Sequence, residues 1–438
     1  MSGQVVQSNE EVPDGYKRIQ LGPREAVFPE SWAIHPVGEL FNIQKESFDP
    51  DSVDADSNVM LYSMPAYDEG RQPDLTMADE IGSKKYHVPN DTLLFPKLNI
   101  RKRRFWRVTH EHDLPAVCST EYWPLLPTEQ LNLDFYRYYF DSYEFMRDPK
   151  VTSSSSTNSH KRVKESSFKK LRLPVPPLPE QQQIADILST VDEQIQQTKD
   201  AVKKKTELKR GLAQDLYGDN VGDDQFPDRA SELPSGWSRE KIADLCTIGG
   251  GSTPSKSNAD YWGGNILWAS PKDFDGPLLE GTEDKITEFA TQETSLSTYE
   301  TGSIAIVVRS GVLRHTLPVA QVTTPTTVNQ DVKVLQPNEN EVDPEYLFQI
   351  LRMQSNRIRQ RCMKTGTTVE SIETSFLKKY KLRIPPLDKQ QQIAGLLKNL
   401  DKEIRLEQEH RGELTKLKRG LMQDLLTGKR RVDPSKAD

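Results

Sequence analysis

The sequence predicts an α+β protein in which two mixed α/β domains alternate with two long repeated helices. A 41-residue segment that begins at Pro176 recurs at Pro385 with 20 identical positions, so the chain contains a duplication. Both copies carry an apolar stripe at helical spacing. Each copy is preceded by a longer region that contains the short apolar runs typical of strands.

The duplication also extends upstream of the repeated segment. FPESWAIHPVGELF, which starts at Phe28, resembles ELPSGWSREKIADLC, which starts at Glu232, and Trp32 then matches Trp237. Each half of the 438-residue chain is therefore predicted to have the same order. A Pro-x-x-Trp start is followed by a variable region, a Pro-Pro-Leu segment and a helix.

The repeated segments are predicted to be single long helices. Apolar residues recur every three or four positions, as Ile184, Leu188 and Val191 do in the first copy and Ile393 and Leu397 in the second. About 39 residues of helix would be roughly 58 Å long. Such a narrow stripe suits helix pairing, parallel or antiparallel, better than a globular core. The alternative is that each helix packs on its own domain.

The variable regions have the pattern of mixed α/β structure. TLLFPKL (Thr92–Leu98), SIAIVV (Ser303–Val308) and DVKVL (Asp331–Leu335) are predicted to be strands because they are short, apolar and bounded by turn residues. Two predicted helices, Leu133–Met146 and Asp343–Gln354, occupy matching places in the two halves. The regions otherwise share little sequence.

Composition points to a polar protein with local basic clusters. The net charge is −7, which argues against general affinity for polyanions, but Lys97–Arg107 and His160–Arg172 are strongly basic and could bind nucleic acid locally. No apolar run approaches the roughly 20 residues of a membrane span. The first residues lack the pattern of a signal peptide, and three dispersed cysteines form no disulfide framework, so we expect a reducing cytoplasm.

Several short motifs resemble catalytic or ligand-binding sequences but lack the residues or the spacing that such a site needs. GGGSTPSK (Gly249–Lys256) lacks the glycine before the lysine and the hydroxyl residue after it that a phosphate loop needs. His110, His112 and Cys118 fit no usual zinc spacing. The EDK sequence at Glu283–Lys285 is more typical of a solvated face than of a nuclease. The sequence also lacks the Ser-His-Asp order and nucleophile elbow of serine hydrolases and the Asn-Pro-Pro-aromatic motif of amino-methyltransferases. No catalytic residue is therefore predicted.

The repeated segments carry a family resemblance. PPLPEQQQIA and PPLDKQQQIA, each followed by a helix that ends LKRGL-x-QDL, resemble the two repeats of Type I restriction–modification specificity subunits, the HsdS family. Thr365–Leu387 is similar to the family's segment leading into the second repeat. Gly251–Phe274 is similar to the opening of one common type of its target recognition domains. The resemblance covers residues 28–428.

The resemblance implies two target recognition domains separated by two conserved helices that pack as an antiparallel coiled coil, with pseudo-two-fold symmetry. The implied segments are an acidic N-terminal tail (1–25), recognition domain 1 (26–175), the central helix (176–217), a linker (218–231), recognition domain 2 (232–384), the C-terminal helix (385–428) and a tail (429–438).

The implied function is sequence-specific binding of double-stranded DNA without catalysis. Each recognition domain would read one half of an asymmetric, bipartite target, and the helices would set the spacing. Two modification subunits that use S-adenosylmethionine would dock on the chain, together with restriction subunits that use ATP and Mg. Two alternatives remain open: a stand-alone nuclease or methyltransferase, and a structural coiled-coil scaffold.

Two sets of site residues follow. Basic and hydroxyl residues contact phosphates and guanine edges, which selects as DNA-binding residues Lys97, Arg101, Lys102, Arg103, Arg104, Lys161, Arg162, Lys164, Lys272, Arg309, Arg314, Lys364, Thr367 and Thr368. Each could also be an ordinary surface residue. Residues identical in both repeats would meet two identical partners, which selects as docking residues Gln181, Gln182, Gln183, Arg210, Asp215, Gln390, Gln391, Gln392, Arg419 and Asp424. The alternative for the glutamines is that they satisfy a helix start.

Overall fold

The structure is a computed structural model. It describes residues 12–21, 24–52, 54, 56–110, 114–148, 151, 162–217, 233–294, 296–364 and 369–432, and for 24 and 213–217 it describes the backbone alone. The chain divides into two compact units. Unit 1 comprises Met1–Lys199 and Glu409–Asp438, and unit 2 comprises Asp200–Gln408.

Unit 1 is built on two sheets and two ribbons. Its strands are β1 (Tyr16–Leu21), β2 (Arg24–Pro29), β3 (Ala33–Pro36), β4 (Phe41–Ile43), β5 (Ser47–Phe48), β6 (Asn58–Tyr62), β7 (Asp74–Met77), β8 (Lys85–His87), β9 (Thr92–Pro96), β10 (Trp106–Val108), β11 (Ala116–Ser119), β12 (Tyr122–Pro127) and β13 (Arg172–Val175). The sheets have the orders β10-β9-β12-β4 and β5-β8-β11-β6-β7, and the ribbons are β1-β2 and β13-β3.

Unit 2 has a similar plan. Its strands are β14 (Ser238–Lys241), β15 (Cys246–Gly250), β16 (Trp262–Ala269), β17 (Leu278–Leu279), β18 (Lys285–Ile286), β19 (Ile304–Val307), β20 (Val319–Val322), β21 (Thr326–Val328), β22 (Val332–Pro337) and β23 (Lys381–Ile384). They form sheets of order β15-β22-β19-β20-β17 and β18-β16-β21, and the ribbon β14-β23.

The helices alternate with these strands. In unit 1 they are α1 (Val37–Leu40), α2 (Met64–Glu69), α3 (Leu133–Asp141), α4 (Tyr143–Met146) and α5 (Glu165–Phe168). The long helix α6 (Leu178–Tyr217) then runs from unit 1 into unit 2. In unit 2 they are α7 (Ile242–Leu245), α8 (Glu288–Thr294), α9 (Pro344–Met353), α10 (Ser355–Cys362) and α11 (Thr374–Lys379), and the long helix α12 (Leu387–Leu425) ends in unit 1.

Both units share one antiparallel frame. The order β4-β12-β9-β10 in unit 1 corresponds to β15-β22-β19-β20 in unit 2, and a two-stranded ribbon joins the start and the end of each domain. An equivalent helix follows, α3 capped by the Asn132 side chain and α9 capped by Asp343 with Pro344 at its first position. The remaining strands differ between the units, which is the divergence that the sequence predicted.

The elements predicted from the sequence are present. The three predicted strands are β9, β19 and β22, and the repeated helices are 40 and 39 residues long. The predicted helix 133–146 is broken at Ser142, whose extended backbone ends α3 and whose hydroxyl caps α4.

The two long helices run antiparallel in both units. In unit 2, Lys205 lies 3.2 Å from Glu403 and 3.1 Å from Glu407, while Lys209 lies 2.6 Å from Asp401. Rising numbers on α6 therefore meet falling numbers on α12. The Lys418–Asp192 pair in unit 1, at 2.6 Å, obeys the same rule. The fold class, including the antiparallel helix pair, is confirmed.

The end of α12 is fixed in the unit 1 core. Leu425 and Leu426 are buried in the same apolar cluster as Trp32. Gly428 has a φ of 69° and lies so close to Pro29 that a Cβ would sit 2.4 Å from its Cδ, so only glycine fits this turn. The predicted segment boundaries stay a prediction. The two compact units do not test them, because each unit contains one domain together with parts of both long helices.

Candidate nucleic-acid and partner surfaces

A basic turn follows β9, a strand of the shared frame in unit 1. This 3-10 turn, Ile100–Lys102, lies between Asn99 and Arg103, whose φ values of 51° and 53° place both in the left-handed region. Arg101 and Lys102 are exposed. Arg103 donates from Nη1 to the backbone oxygen of Asp141 at 2.7 Å, which anchors the turn to α3. Three of the predicted DNA-binding residues thus share one exposed turn.

Arg104 is buried, unlike the three residues of the turn, and its role in DNA binding stays a prediction. Its side chain is 7% exposed and its Nε donates to Asp68 Oδ1 at 2.7 Å, while its Nη2 donates to the other carboxylate oxygen. The hydrogen bond from Arg104 lowers the pKa of Asp68. Because left-handed Arg103 reverses the chain direction, the fourth residue of the RKRR run turns inward and packs as a structural ion pair.

The other predicted residues of unit 1 lie outside this turn. Lys164 is exposed, Lys97 is half-buried, and Arg162 forms a two-point ion pair with Glu121 at 3.0 and 2.7 Å. The hydrogen bond from Arg162 lowers the pKa of Glu121. Lys161 lies outside the described residues.

The predicted residues of unit 2 are exposed and mostly paired with carboxylates. Lys272 binds Asp284 at 2.8 Å and Glu283 at 3.0 Å, two of the residues of the EDK sequence. Arg314 binds Glu370 at 2.6 Å, and Arg309 Nε lies 3.9 Å from Asp331. Lys364 is exposed, whereas Thr367 and Thr368 lie outside the described residues.

Equivalent turns are basic in the two units. The 3-10 turn Gly311–Arg314 follows β19 as Ile100–Lys102 follows β9. Arg359 on α10 donates to the backbone oxygens of Leu313 and Arg314, both at 3.1 Å. The same position of the frame is therefore basic twice, although the two sequences differ.

Sequence reasoning missed the basic residues that follow the shared helix. These are Arg147 after α4, and Arg357, Arg359 and Arg361 on α10. The three arginines in SNRIRQRC could have been found as a local basic cluster. Arg147 and its exposed neighbour Tyr143 gave no such signal, because the turn they approach is about 40 residues earlier in the chain.

Two glutamines of the predicted docking set are buried at the helix starts. The Gln181 amide donates to Pro176 at 2.8 Å and accepts the Asn132 N–H at 2.9 Å. Gln390 repeats both contacts, with Pro385 at 2.9 Å and Asp343 at 2.7 Å. Each is 1% exposed, so neither is available to a partner in this structure. Both serve the alternative role, in which the glutamines satisfy a helix start.

A second polar network recurs further along each long helix, on the C-terminal side of the buried glutamine. Asp192 of α6 and Asp401 of α12 match in the repeat, as do their lysine partners, Lys418 and Lys209. Each aspartate also binds the shared domain helix, through Tyr138 O–H at 2.9 Å in unit 1 and Gln349 Nε2 at 3.1 Å in unit 2. The duplication has thus preserved a three-way junction between two helices and a domain.

The pKa values in the unit 2 junction show the balance of burial and pairing. Burial raises the pKa of Asp401, but Lys209, Arg352 and Gln349 together lower it by more, so the net shift is downward. Burial is the largest influence on Lys209 and, although Asp401 acts against it, the pKa of Lys209 is lowered. The aspartate is therefore stabilised as a carboxylate by a partly desolvated lysine.

The repeated helices also expose the same residues twice. Leu208 and Leu417 match in the repeat and are 53% and 51% exposed. Arg210 and Arg419, two positions further on in each copy, are exposed as well. These four residues are called the LxR surfaces below. The other members of the predicted docking set are the exposed Gln182, Gln391 and Gln392, the half-buried Gln183 and Asp424, and Asp215, whose side chain is not described.

The described part of the chain has no evident catalytic or metal centre. No three His, Cys, Asp or Glu side chains within it cluster as metal ligands. The three cysteines are buried, and burial raises the pKa of Cys246 to about 12 and of Cys362 to about 11. In the GGGSTPSK sequence a Cβ on Gly251 would sit 1.6 Å from the Val328 oxygen, so packing accounts for that glycine. In the described residues no helix has the length and apolarity to cross a membrane.

Comparison with known proteins gives a consistent family. Residues 29–209 and 234–416 match the family described as Type I restriction modification DNA specificity domain. The EcoR124I/EcoR124II specificity subunit of Escherichia coli is 39% identical over 153 residues, which cover 35% of this chain and 38% of that protein. The MjaVIII specificity subunit of Methanocaldococcus jannaschii is 22% identical over 416 residues, 92% of this chain and 94% of that protein.

Solved structures agree with the fold. The crystal structure of a Type I restriction–modification system S subunit from M. genitalium superposes with a TM-score of 0.58 at 15% identity, over 90% of this chain and 96% of that one.

Proposed function

Because the chain belongs to the Type I restriction–modification DNA specificity family, we propose that each of its recognition domains reads one half of an asymmetric DNA target. The observation that carries this proposal is that the two units share one strand frame but differ in the residues that would contact DNA. Both units place a basic turn after the same strand, but Ile100–Lys102 and Gly311–Arg314 differ in length and charge. Two such readers would recognise two different half-sites.

The long helices would set the distance between the half-sites and dock the modification subunits. A protein that reads two half-sites at fixed spacing needs a rigid connection between its readers. The ion pairs Lys209–Asp401 in unit 2 and Lys418–Asp192 in unit 1, which join the two helices, support this role. The LxR surfaces present the same residues twice, which suits two copies of one partner.

The chain would itself be non-catalytic and act in the cytoplasm. Two modification subunits would supply adenine methylation with S-adenosylmethionine, and restriction subunits would supply ATP- and Mg-dependent cleavage. Burial of all three thiols agrees with a non-catalytic role, since a buried thiol with a raised pKa is a poor nucleophile.

The test compares the purified chain alone with the chain co-expressed with a modification subunit. We expect the chain alone to be retained on duplex DNA at moderate salt but to neither methylate nor cleave it. With its partner it should purify at two modification subunits per chain and methylate DNA. Methylation or cleavage by the chain alone would favour the enzyme alternative, and lack of DNA retention would favour the scaffold.

A further inference from the structure

An open pocket lies between the basic turn and helix α4 in unit 1. It has a volume of about 390 Å³ and is lined by Arg101, Arg103, Tyr143, Met146 and Arg147. Three of its five lining residues are arginines. This pocket joins a predicted DNA-binding turn to residues that sequence analysis did not select, and it is called the arginine pocket below.

The arginine pocket is held open by its surroundings. Left-handed Arg103 is tied to Asp141 by the 2.7 Å hydrogen bond from Nη1 to the backbone oxygen and by a 3.3 Å contact to the carboxylate. Ser142 caps α4, which fixes Tyr143 at the pocket rim. The guanidinium of Arg147 lies over the Tyr143 ring, 5.1 Å from its centroid, so the two side chains support each other.

The charges of the pocket do not cancel. Two carboxylates of the described residues lie against arginines of the lining: Asp141 is paired with Arg103, and Glu144 Oε1 lies 3.7 Å from Arg147 Nη1. Against these two carboxylates stand the three arginines of the lining and the exposed Lys102 beside them. The site therefore keeps an excess of positive charge and of N–H donors, and an anion with several acceptor oxygens would satisfy both.

We propose that the arginine pocket binds a backbone phosphate of duplex DNA, an inference that rests on the proposed DNA-reading function. Several guanidinium groups around one pocket suit the charge and the oxygens of a phosphate, whereas a guanine edge is read by one planar arginine. Tyr143, with 67% of its surface exposed, offers its ring to the adjoining sugar and its hydroxyl to an oxygen. The contact positions recognition domain 1 on DNA and does not read sequence.

The test measures binding of the full-length chain to two unrelated 40-base-pair duplexes across a salt series. The variants are Arg101→Ala and Arg147→Ala. Arg18→Ala, which removes an exposed arginine of the same unit on β1 that lies outside both basic segments, is the matched control. Because the substituted side chains are exposed, the thermal unfolding midpoint should stay unchanged. Each pocket variant should weaken binding roughly tenfold at low salt, by the same factor for both duplexes.

The salt dependence identifies the contact. Loss of one phosphate contact should reduce the slope of log affinity against log salt by roughly 0.9. Pocket variants that bind like Arg18→Ala would overturn the arginine pocket while leaving the proposed function intact. A loss confined to one duplex would also overturn it, since that marks base reading. A wild-type chain that binds neither duplex would contradict the proposed function itself.

Discussion

At the scale of single residues, the repeat conserves internal contacts as much as surface. Gln181 and Gln390 are identical, buried and bonded in the same way, and the Asp192–Lys418 and Asp401–Lys209 pairs match likewise. Identity between the copies therefore cannot by itself distinguish a docking residue from a structural one. Burial separates them: the LxR surfaces are exposed in both copies.

Gln390→Ala should destabilise unit 2 by about 1–3 kcal/mol, because it leaves the Pro385 carbonyl and the Asp343 N–H without their partner. Gln391→Ala, exposed at the next position, should change the unfolding free energy by less than about 0.5 kcal/mol. Chemical denaturation of both variants measures the difference. A loss of unfolding free energy for Gln390→Ala as small as that for Gln391→Ala would mean that the hydrogen bonds of the buried amide do not stabilise unit 2.

Asp401→Asn should destabilise unit 2 by about 1–3 kcal/mol at neutral pH through loss of the charge-assisted bonds to Lys209. The folded-state pKa of Asp401 is lowered, so its contribution is present above the unfolded pKa and is lost as pH falls through the folded value.

The deficit of this variant should therefore shrink below about pH 4 when unfolding is followed from pH 7 to pH 2. Glu293→Gln, an exposed carboxyl of α8, should show no deficit at either pH. A deficit that does not change with pH would contradict the ion-pair explanation.

At the scale of elements, local patterns predicted the helices and the frame strands, because periodicity and turn residues are properties of neighbouring positions. Contacts between distant segments were not visible in the sequence. Arg104 looks like its neighbours in RKRR, and only its partner Asp68, 36 positions away, makes it structural. Likewise, the arginine pocket needed Arg147 and the basic turn to meet in space.

Leu208→Ser and Leu417→Ser should each remove one of two modification subunits, because each substitution spoils one LxR surface and leaves the other unchanged. The double variant should lose both. The measurement is the mass of the co-expressed complex. Leu406→Ser is the matched control, since Leu406 is 49% exposed but matches Gln197 in the first copy and so cannot belong to a surface presented twice. Stoichiometry that stays at two in the double variant would place docking elsewhere.

At the scale of the whole molecule, duplication explains how one chain can serve as an asymmetric reader. Each unit combines a domain, the start of one long helix and the end of the other, so the same junctions occur twice. The parts that differ, the second sheet and the basic turns, lie outside those junctions. The readers are thus free to diverge while the repeated junctions are kept.

The central claim is that two unlike domains read two half-sites at a fixed separation. The most direct measurement is a map of methylated adenines in genomic DNA after co-expression of this chain with a modification subunit. The account predicts one motif made of two different specific sequences separated by a gap of constant length. A single continuous motif, two identical halves or a variable gap would contradict it.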